Sequence, residues 1–316
     1  MTHKKIVVLG TGGTIAGQAG SASDNIGYTA AQIGIAQLLM AIPAIAGTGS
    51  VIAEQVAQID SKDMSFALWS QLAARVNHFL ARPDVQGIVI THGTDTLEET
   101  AYFLQSVCRP TKPVILTCAM RPATALVPDG PQNVLDAISV AWHAGAMGVV
   151  AVCAGTIHSA FDVQKVHPYR LNAFSSGDAG ALGYVEEGRL RLLRNWPLVQ
   201  EVRPLCAIDI IAKLADPAKC PRVEIVMSYA GASGAIVQAL VAQGVQGLVV
   251  AATGNGTIHH ALKAALLEAQ TSGVKVVRAT RCVNGQVLAM PGDAIPDSKG
   301  LTPVKARVAM MLELLG

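Results

Sequence analysis

Short apolar runs rich in β-branched residues alternate along this chain with stretches whose apolar positions recur every three to four residues. Residues 6–9, 51–59, 87–91, 114–117 and 149–153 have the first pattern and read as strands. The clearest example of the second is 66–80, where Phe66, Trp69, Leu72, Ala73, Val76, Phe79 and Leu80 fall on one face of a helix. Strands that alternate with helices predict an α/β fold, a parallel sheet covered by helices on both faces. From 182 to 193 the pattern is that of a hairpin. Residues 194–204, with two prolines and several charges, then mark a crossing to a second domain. Beyond it the alternation resumes, with strands at 223–227, 247–251 and 275–277 and helices at 234–243, 258–271 and 303–315. The expected organisation is a larger N-terminal parallel-sheet domain, residues 1–193, and a smaller C-terminal α/β domain, residues 207–316.

Length supports two domains, because 316 residues exceed the roughly 250–300 at which one core stops growing. With 51% hydrophobic and 15% charged residues, the chain has the composition of a well-buried enzyme. Lys+Arg 24 against Asp+Glu 22 leaves a formal charge of +2, and no basic run offers a track for a phosphate backbone, so nucleic acid is not an expected partner. Residues 137–157 carry no formal charge over 21 positions, yet Ser139, His143, Gly145, Gly148 and Gly155 break them into a helix end, a turn and a buried strand. A membrane span is therefore not expected. Near the N-terminus only four consecutive apolar residues follow Lys4 and Lys5, too few for an export signal, which points to the cytoplasm. Cys108, Cys118, Cys153, Cys206, Cys220 and Cys282 have neither close pairing nor zinc-type spacing, and read as small buried hydrophobes in a reducing compartment.

Candidate chemistry collects after predicted strands, where open α/β sheets place their ligands. The first strand runs into Gly10-Thr11-Gly12-Gly13-Thr14-Ile15-Ala16-Gly17. Ile15 stands where a dinucleotide fingerprint requires glycine, and no Gly-Lys-Ser/Thr follows, so a phosphate cradle is disfavoured. Thr14 is left as a hydroxyl on a tight turn, suited either to nucleophilic attack or to capping a helix. Residues 17–27, rich in Gly, Ala, Ser and Asn, read as a lid ending at Tyr28, which either packs or assists proton transfer. The strand at 87–91 runs into His92-Gly93-Thr94-Asp95-Thr96-Leu97-Glu98-Glu99, a second hydroxyl-bearing glycine turn with a carboxylate beside it, for which helix capping is again the bland alternative. Three further segments, Asp60-Ser61-Lys62-Asp63, Ala119-Met120-Arg121-Pro122 and Asp129-Gly130-Pro131-Gln132-Asn133, are individually ordinary loops, and Lys165 alone reads as a solvated surface lysine.

Together these segments make the chain resemble the bacterial-type L-asparaginases nearly end to end, closer to the cytoplasmic form. The resemblance rests on Gly12-Gly13-Thr14-Ile15-Ala16 and His92-Gly93-Thr94-Asp95-Thr96 in the family's order and spacing. Met120-Arg121-Pro122, Asp129-Gly130-Pro131, Gly254-Asn255-Gly256 and Lys305-Ala306-Arg307-Val308 match as well. It implies a flavodoxin-like N-terminal domain and hydrolysis of L-asparagine to L-aspartate and ammonia without a cofactor or metal. Thr14 would attack the amide with help from Tyr28, forming an acyl-threonine. Thr94, Asp95 and Lys165 would form a second triad-like cluster. Asp60, Ser61 and Asp95 would hold the substrate's α-carboxylate and α-ammonium, and Ala119 would lend a backbone contact. Asn255 would reach the site from a neighbouring subunit of a homotetramer built as a dimer of dimers.

Two departures from the family pattern bear on substrate choice. Lys62 stands where many exported relatives carry a glutamine or glutamate that receives the substrate's ammonium, so it is expected to point outward. Residues 280–302 are shorter than in long-form relatives and offer only Asp293 and Asp297 in place of their glutamate. The alternatives are a glutaminase-asparaginase of broader specificity and a non-catalytic amino-acid-binding homologue, for which two threonines and a lysine are superfluous. A third, the amide-hydrolysing subunit of a tRNA-dependent amidotransferase, carries an additional N-terminal domain for which the chain before Gly10 has no room.

Overall fold

The computed structural model describes residues 4–45, 50–197 and 207–316. The chain forms two compact units, Met1–Ala215 and Asp216–Gly316. In the first unit, β1 (Lys5–Gly12) is followed by a two-strand hairpin, β2 (Gln18–Ala19) and β3 (Tyr28–Thr29), and by helix α1 (Ile35–Met40). Then come β4 (Val51–Ile59), α2 (Phe66–Leu80), β5 (Val85–Thr91), α3 (Leu97–Cys108), β6 (Pro113–Thr117), α4 (Gly130–Trp142) and β7 (Gly148–Cys153). Five short strands, β8 (Thr156–Ser159), β9 (Gln164–Lys165), β10 (Phe174–Ser175), β11 (Gly183–Glu186) and β12 (Arg189–Leu192), precede α5 (Ala207–Leu214).

The eight-stranded sheet has the order β12-β11-β8-β7-β6-β5-β1-β4. From β4 to β7 all neighbours are parallel, and β8, β11 and β12 add an antiparallel edge. Ile6, Val7, Val8 and Leu9 in β1, Ile88, Val89 and Ile90 in β5 and Val114, Ile115 and Leu116 in β6 are wholly buried, as strands covered on both faces must be. Their uninterrupted apolar runs are the reason these segments are strands in the centre of the sheet. The next strand of this sheet in sequence after β1 is β4, which pairs on one side of it, whereas β5 pairs on the other. The strand order therefore reverses at β1, and the crevice outside the carboxyl ends of β1 and β5 is where such a sheet binds its ligand.

Helix α5 packs against α2, and Ser70 Oγ donates a 2.7 Å hydrogen bond to the carbonyl of Ile211. The sequence pattern starts the second domain at Ala207. In the structure the apolar face of Ile210, Ile211 and Leu214 is buried in the first unit, and the division falls between Ala215 and Asp216.

The second unit is a parallel three-stranded sheet, β13 (Val223–Met227), β14 (Gly247–Ala252) and β15 (Lys275–Thr280), in the order β13-β14-β15. Helices α6 (Ala235–Ala242) and α7 (His260–Thr271) share a core with Val226, Leu248, Val250 and Val276. Helix α8 (Pro303–Leu315) packs on all three strands, with Met310 against Gly247. Thr302 caps α8 by accepting from Lys305 N, and Pro303 occupies the first turn, where its missing N–H costs nothing. Among the described residues no helix is long and apolar enough to cross a membrane.

Candidate active site

Three strand ends converge through glycines. Gly12 and Gly13 have φ of 104° and 80°, backbone that a side chain rarely tolerates. A Cβ on Gly13 would lie 2.3 Å from the Cα of Gly93, and one on Gly93 would lie 2.4 Å from Ser61 Oγ. The turns after β1, β5 and β4 thus touch at a point with room only for hydrogen.

Thr14 opens a single 3-10 turn, Thr14–Ala16, whose N-cap is Gly13, so its hydroxyl is not a cap. It lies instead 2.6 Å from the Tyr28 hydroxyl. Tyr28 belongs to the β2–β3 hairpin, in which Ala19 pairs with Tyr28 and Gln18 with Thr29. At the tip the Asp24 carboxylate accepts the N–H groups of Ile26 and Gly27, which lower its pKa. The hairpin is bonded to the loop after β6, with Ala123 N donating to Gly17 O at 3.0 Å, Ala19 N to Thr124 Oγ1 at 2.8 Å and Leu126 N to Ala22 O at 2.9 Å. The segment expected as a lid is a strand pair fastened along one side.

At the second turn the capping alternative also fails, because the N-cap of α3 is Thr96 and no side chain caps it. Thr94 Oγ1 accepts from Lys165 Nζ at 2.7 Å and donates to Asp95 Oδ1 at 3.4 Å. Lys165 Nζ also donates to Asp95 Oδ1 at 2.6 Å. With a side chain only 19% exposed, Lys165 is no solvated surface lysine. Its backbone N–H donates to the Glu98 carboxylate, in the first turn of α3, at 3.3 Å. The turn that carries Thr94 and Asp95 and the first turn of α3 after it therefore grip the lysine at both ends. His92 is wholly buried beside this turn and bonds through Nδ1 to the Gly93 carbonyl at 2.7 Å; burial lowers its pKa to about 4 and keeps it neutral.

Ser61 is buried, accepts Asp95 N at 3.2 Å through its hydroxyl, and accepts Thr96 Oγ1 at 2.8 Å through its carbonyl. Asp60 precedes it and is paired with Lys62 at 2.9 Å. Lys62 is 61% exposed and also reaches Asp63 at 3.0 Å; the hydrogen bonds it donates to these two carboxylates raise its pKa, Asp60 foremost. It points outward. Ala119 is buried on the loop after β6, and Gly130, at the start of α4, abuts both Ala119 and Ile15.

Thr14, Tyr28, Ser61, Thr94, Asp95 and Lys165 are thus joined through direct bonds or touching turns. Asn255 lies in the second unit, between Gly254 and Gly256, where Nδ2 donates to Leu288 O at 3.2 Å and Oδ1 accepts Leu288 N at 2.7 Å. There too Asp293 pairs with Arg278 and accepts Met290 N, which lowers its pKa, while Asp297 accepts Lys299 N. Sequence reasoning missed Glu98, which reads as a first-turn helix residue, and the bracing roles of Asp129 and Asn133. Cys118 and Cys153, 35 residues apart, face each other at the ends of β6 and β7 with their sulfurs 3.3 Å apart, and this contact, with burial, raises the Cys118 pKa and holds the thiol protonated. Cys206 lies outside the described residues. Among the described residues no group of three or more His, Cys, Asp or Glu is placed to hold a metal ion.

A parallel sheet that presents two hydroxyls on touching turns, one facing a phenol and the other a lysine–carboxylate pair, is the fold and candidate site of an α/β hydrolase. Residues 5–198 match the family "Asparaginase, N-terminal" and residues 222–315 match "Glutaminase/Asparaginase C-terminal domain". The chain belongs to the asparaginase family. It is 36% identical over 314 residues to L-asparaginase 2 of Bacillus subtilis (strain 168), covering 98% of this chain and 82% of that one. Identity to the glutaminase-asparaginase of Pseudomonas fluorescens biotype A is 37% over 318 residues, 98% of this chain and 86% of that protein. The crystal structure of a probable cytoplasmic L-asparaginase from Campylobacter jejuni superposes with a TM-score of 0.89 at 39% identity, covering 98% of this chain and 95% of that one.

Proposed function

We propose that this protein hydrolyses the side-chain amide of L-asparagine to L-aspartate and ammonia through an acyl-threonine. Thr14 Oγ attacks the carboxamide carbon, and its proton passes by way of the Tyr28 hydroxyl to the leaving nitrogen. Ammonia departs and the acyl group remains on Thr14. A water activated at Thr94, Lys165 and Asp95 then adds to the ester, releasing aspartate and restoring the hydroxyl. An amide is a poor electrophile, so attack needs both base assistance, about 10²–10⁴-fold, and donors already aimed at the developing oxyanion, about 10²–10³-fold for one donor. The observation that carries this reading is the pair of short contacts, Thr14 to Tyr28 at 2.6 Å and Thr94 to Lys165 at 2.7 Å, on turns that touch at Gly13 and Gly93.

In this reading Ser61, Asp60 and Asp95 bind the α-groups of the substrate and Ala119 offers its carbonyl. A homotetramer of paired dimers, which would bring Asn255 to a neighbour's site, belongs to the proposal and is supported by exposed apolar residues on the second unit, Met227, Tyr229 and Ile236 among them. So does a cytoplasmic setting, in keeping with the five described cysteines, none of which is in a disulfide. A broader glutaminase-asparaginase is the second reading, favoured by the carboxylate of Asp60 being occupied by Lys62 and by the likeness to the Pseudomonas fluorescens protein.

Ammonia release from L-asparagine, L-glutamine and D-asparagine, measured side by side for wild type, Thr14→Ala and Thr94→Val, separates these readings. L-asparagine is expected to be the best substrate, with each variant reduced at least ~10³-fold, as for residues that act as a unit. Equal rates on glutamine would establish the broader enzyme. Activity surviving both substitutions would refute the mechanism.

A further inference from the structure

Asp129 sits at the N-cap of α4, where a carboxylate ordinarily accepts a backbone N–H of its own helix, yet it makes no such bond and takes from α4 only the Asn133 side-chain amide, at 3.4 Å. Its oxygens turn back to the loop after β6. Oδ2 accepts Met120 N and Oδ1 accepts Arg121 N, each at 2.9 Å. Asn133, one helical turn on and almost wholly buried, donates from Nδ2 to Cys118 O at 2.8 Å and accepts Ala154 N at 3.0 Å. The backbone is therefore clamped on both sides of Ala119. The consequence follows from peptide geometry. In a planar trans peptide the carbonyl of one residue points opposite to the N–H of the next, and this chain has no cis peptide among its described residues. Fixing Met120 N–H on Asp129 thus fixes the direction of the Ala119 carbonyl.

We infer that Asp129 is a positioning residue for amide selectivity. By holding Met120 N–H it aims the Ala119 carbonyl so that this acceptor receives an N–H of the substrate's carboxamide. The inference rests on the active-site reading above, in which Ala119 lends its backbone. The same loop carries the three hydrogen bonds to the Tyr28 hairpin, and the start of α4 abuts Ile15, next to Thr14. A carbonyl held there is rigidly referenced to the nucleophile.

An ester of the same acid lacks the N–H that the carbonyl would accept, so comparing amide with ester isolates this contact. The test uses the full-length protein with Asp129→Asn and Asp129→Ser, assayed on L-asparagine and on the β-methyl ester of L-aspartate, with thermal melting as a fold control. Asparagine replaces one of the two acceptor oxygens with an NH₂, so one of the two N–H donors loses its partner at constant shape, and serine, shorter and with a single oxygen, cannot hold both. The expected result is a fall of about 10- to 100-fold in kcat/KM on asparagine and of less than about 3-fold on the ester. An equal fall on both substrates, or no fall on asparagine, would overturn the inference. Failure of the isosteric Asp129→Asn variant to fold would overturn it too, since the bonds would then serve the fold. If wild type does not hydrolyse asparagine at all, the reading of the site fails first.

Discussion

Thr14 and Thr94 are chemically alike, and their partners make them different. A phenol 2.6 Å from Thr14 can pass a proton, whereas the lysine 2.7 Å from Thr94 can stabilise negative charge on oxygen. Lys165→Met should therefore lower kcat by at least ~10²-fold while moving KM little, because it removes a charge needed only as the oxyanion and water develop. A KM effect with kcat intact would show that Lys165 binds substrate instead. For Lys62, whose Nζ bridges two aspartates at the surface, Lys62→Gln should shift KM for asparagine by less than about 3-fold. A tenfold improvement in KM would mean that this cation faces the substrate. The glycine turns that carry the threonines are legible in the sequence because each follows a β-branched run, whereas capping, the bland alternative for both hydroxyls, is excluded only by the structure. Lys165 and Glu98 are not legible, since nothing local distinguishes a lysine held at a turn from one in solvent, and Asp129 reads as part of an ordinary loop although its carboxylate braces the turn after β6.

At the scale of elements, the long amphipathic helix at 66–80, the strand at 51–59 and the closing helix at 303–315 coincide with their sequence patterns, because each has a strong period or an unbroken β-branched run. The two-residue strands β2, β3, β9 and β10 are too short to carry a period and exist only through their partners. Helix α5 has a clear apolar face, but no pattern in the sequence says which unit will cover it. The touching turns give a direct test of the convergence. Gly93→Ala would put a methyl 2.4 Å from Ser61 Oγ. Forcing that space should destabilise the protein by about 1–3 kcal/mol and lower kcat more than tenfold, read by denaturant titration and ammonia release. Wild-type stability and turnover would mean that the turns do not pack as described.

Stability of the whole molecule should carry the mark of one buried histidine. His92 has a pKa of about 4 in the folded chain against an ordinary 6.5, so the unfolded chain binds its proton first as pH falls. Its contribution is fully present above about pH 6.5 and is lost as pH falls toward 4, amounting to about 2–3 kcal/mol by pH 4.5. Denaturant titrations at pH 7.5 and 4.5 should show a smaller loss for His92→Asn than for wild type, whatever that substitution costs at neutral pH. An identical loss would show that His92 is not held neutral.

The most direct test of the account is a crystal structure with bound L-aspartate, the proposed product. It should place the β-carboxyl carbon within about 3.5 Å of both Thr14 Oγ and Thr94 Oγ1, or join it covalently to Thr14. A carboxyl group that reaches only one of the two hydroxyls, with the other directed away from the ligand, would contradict it.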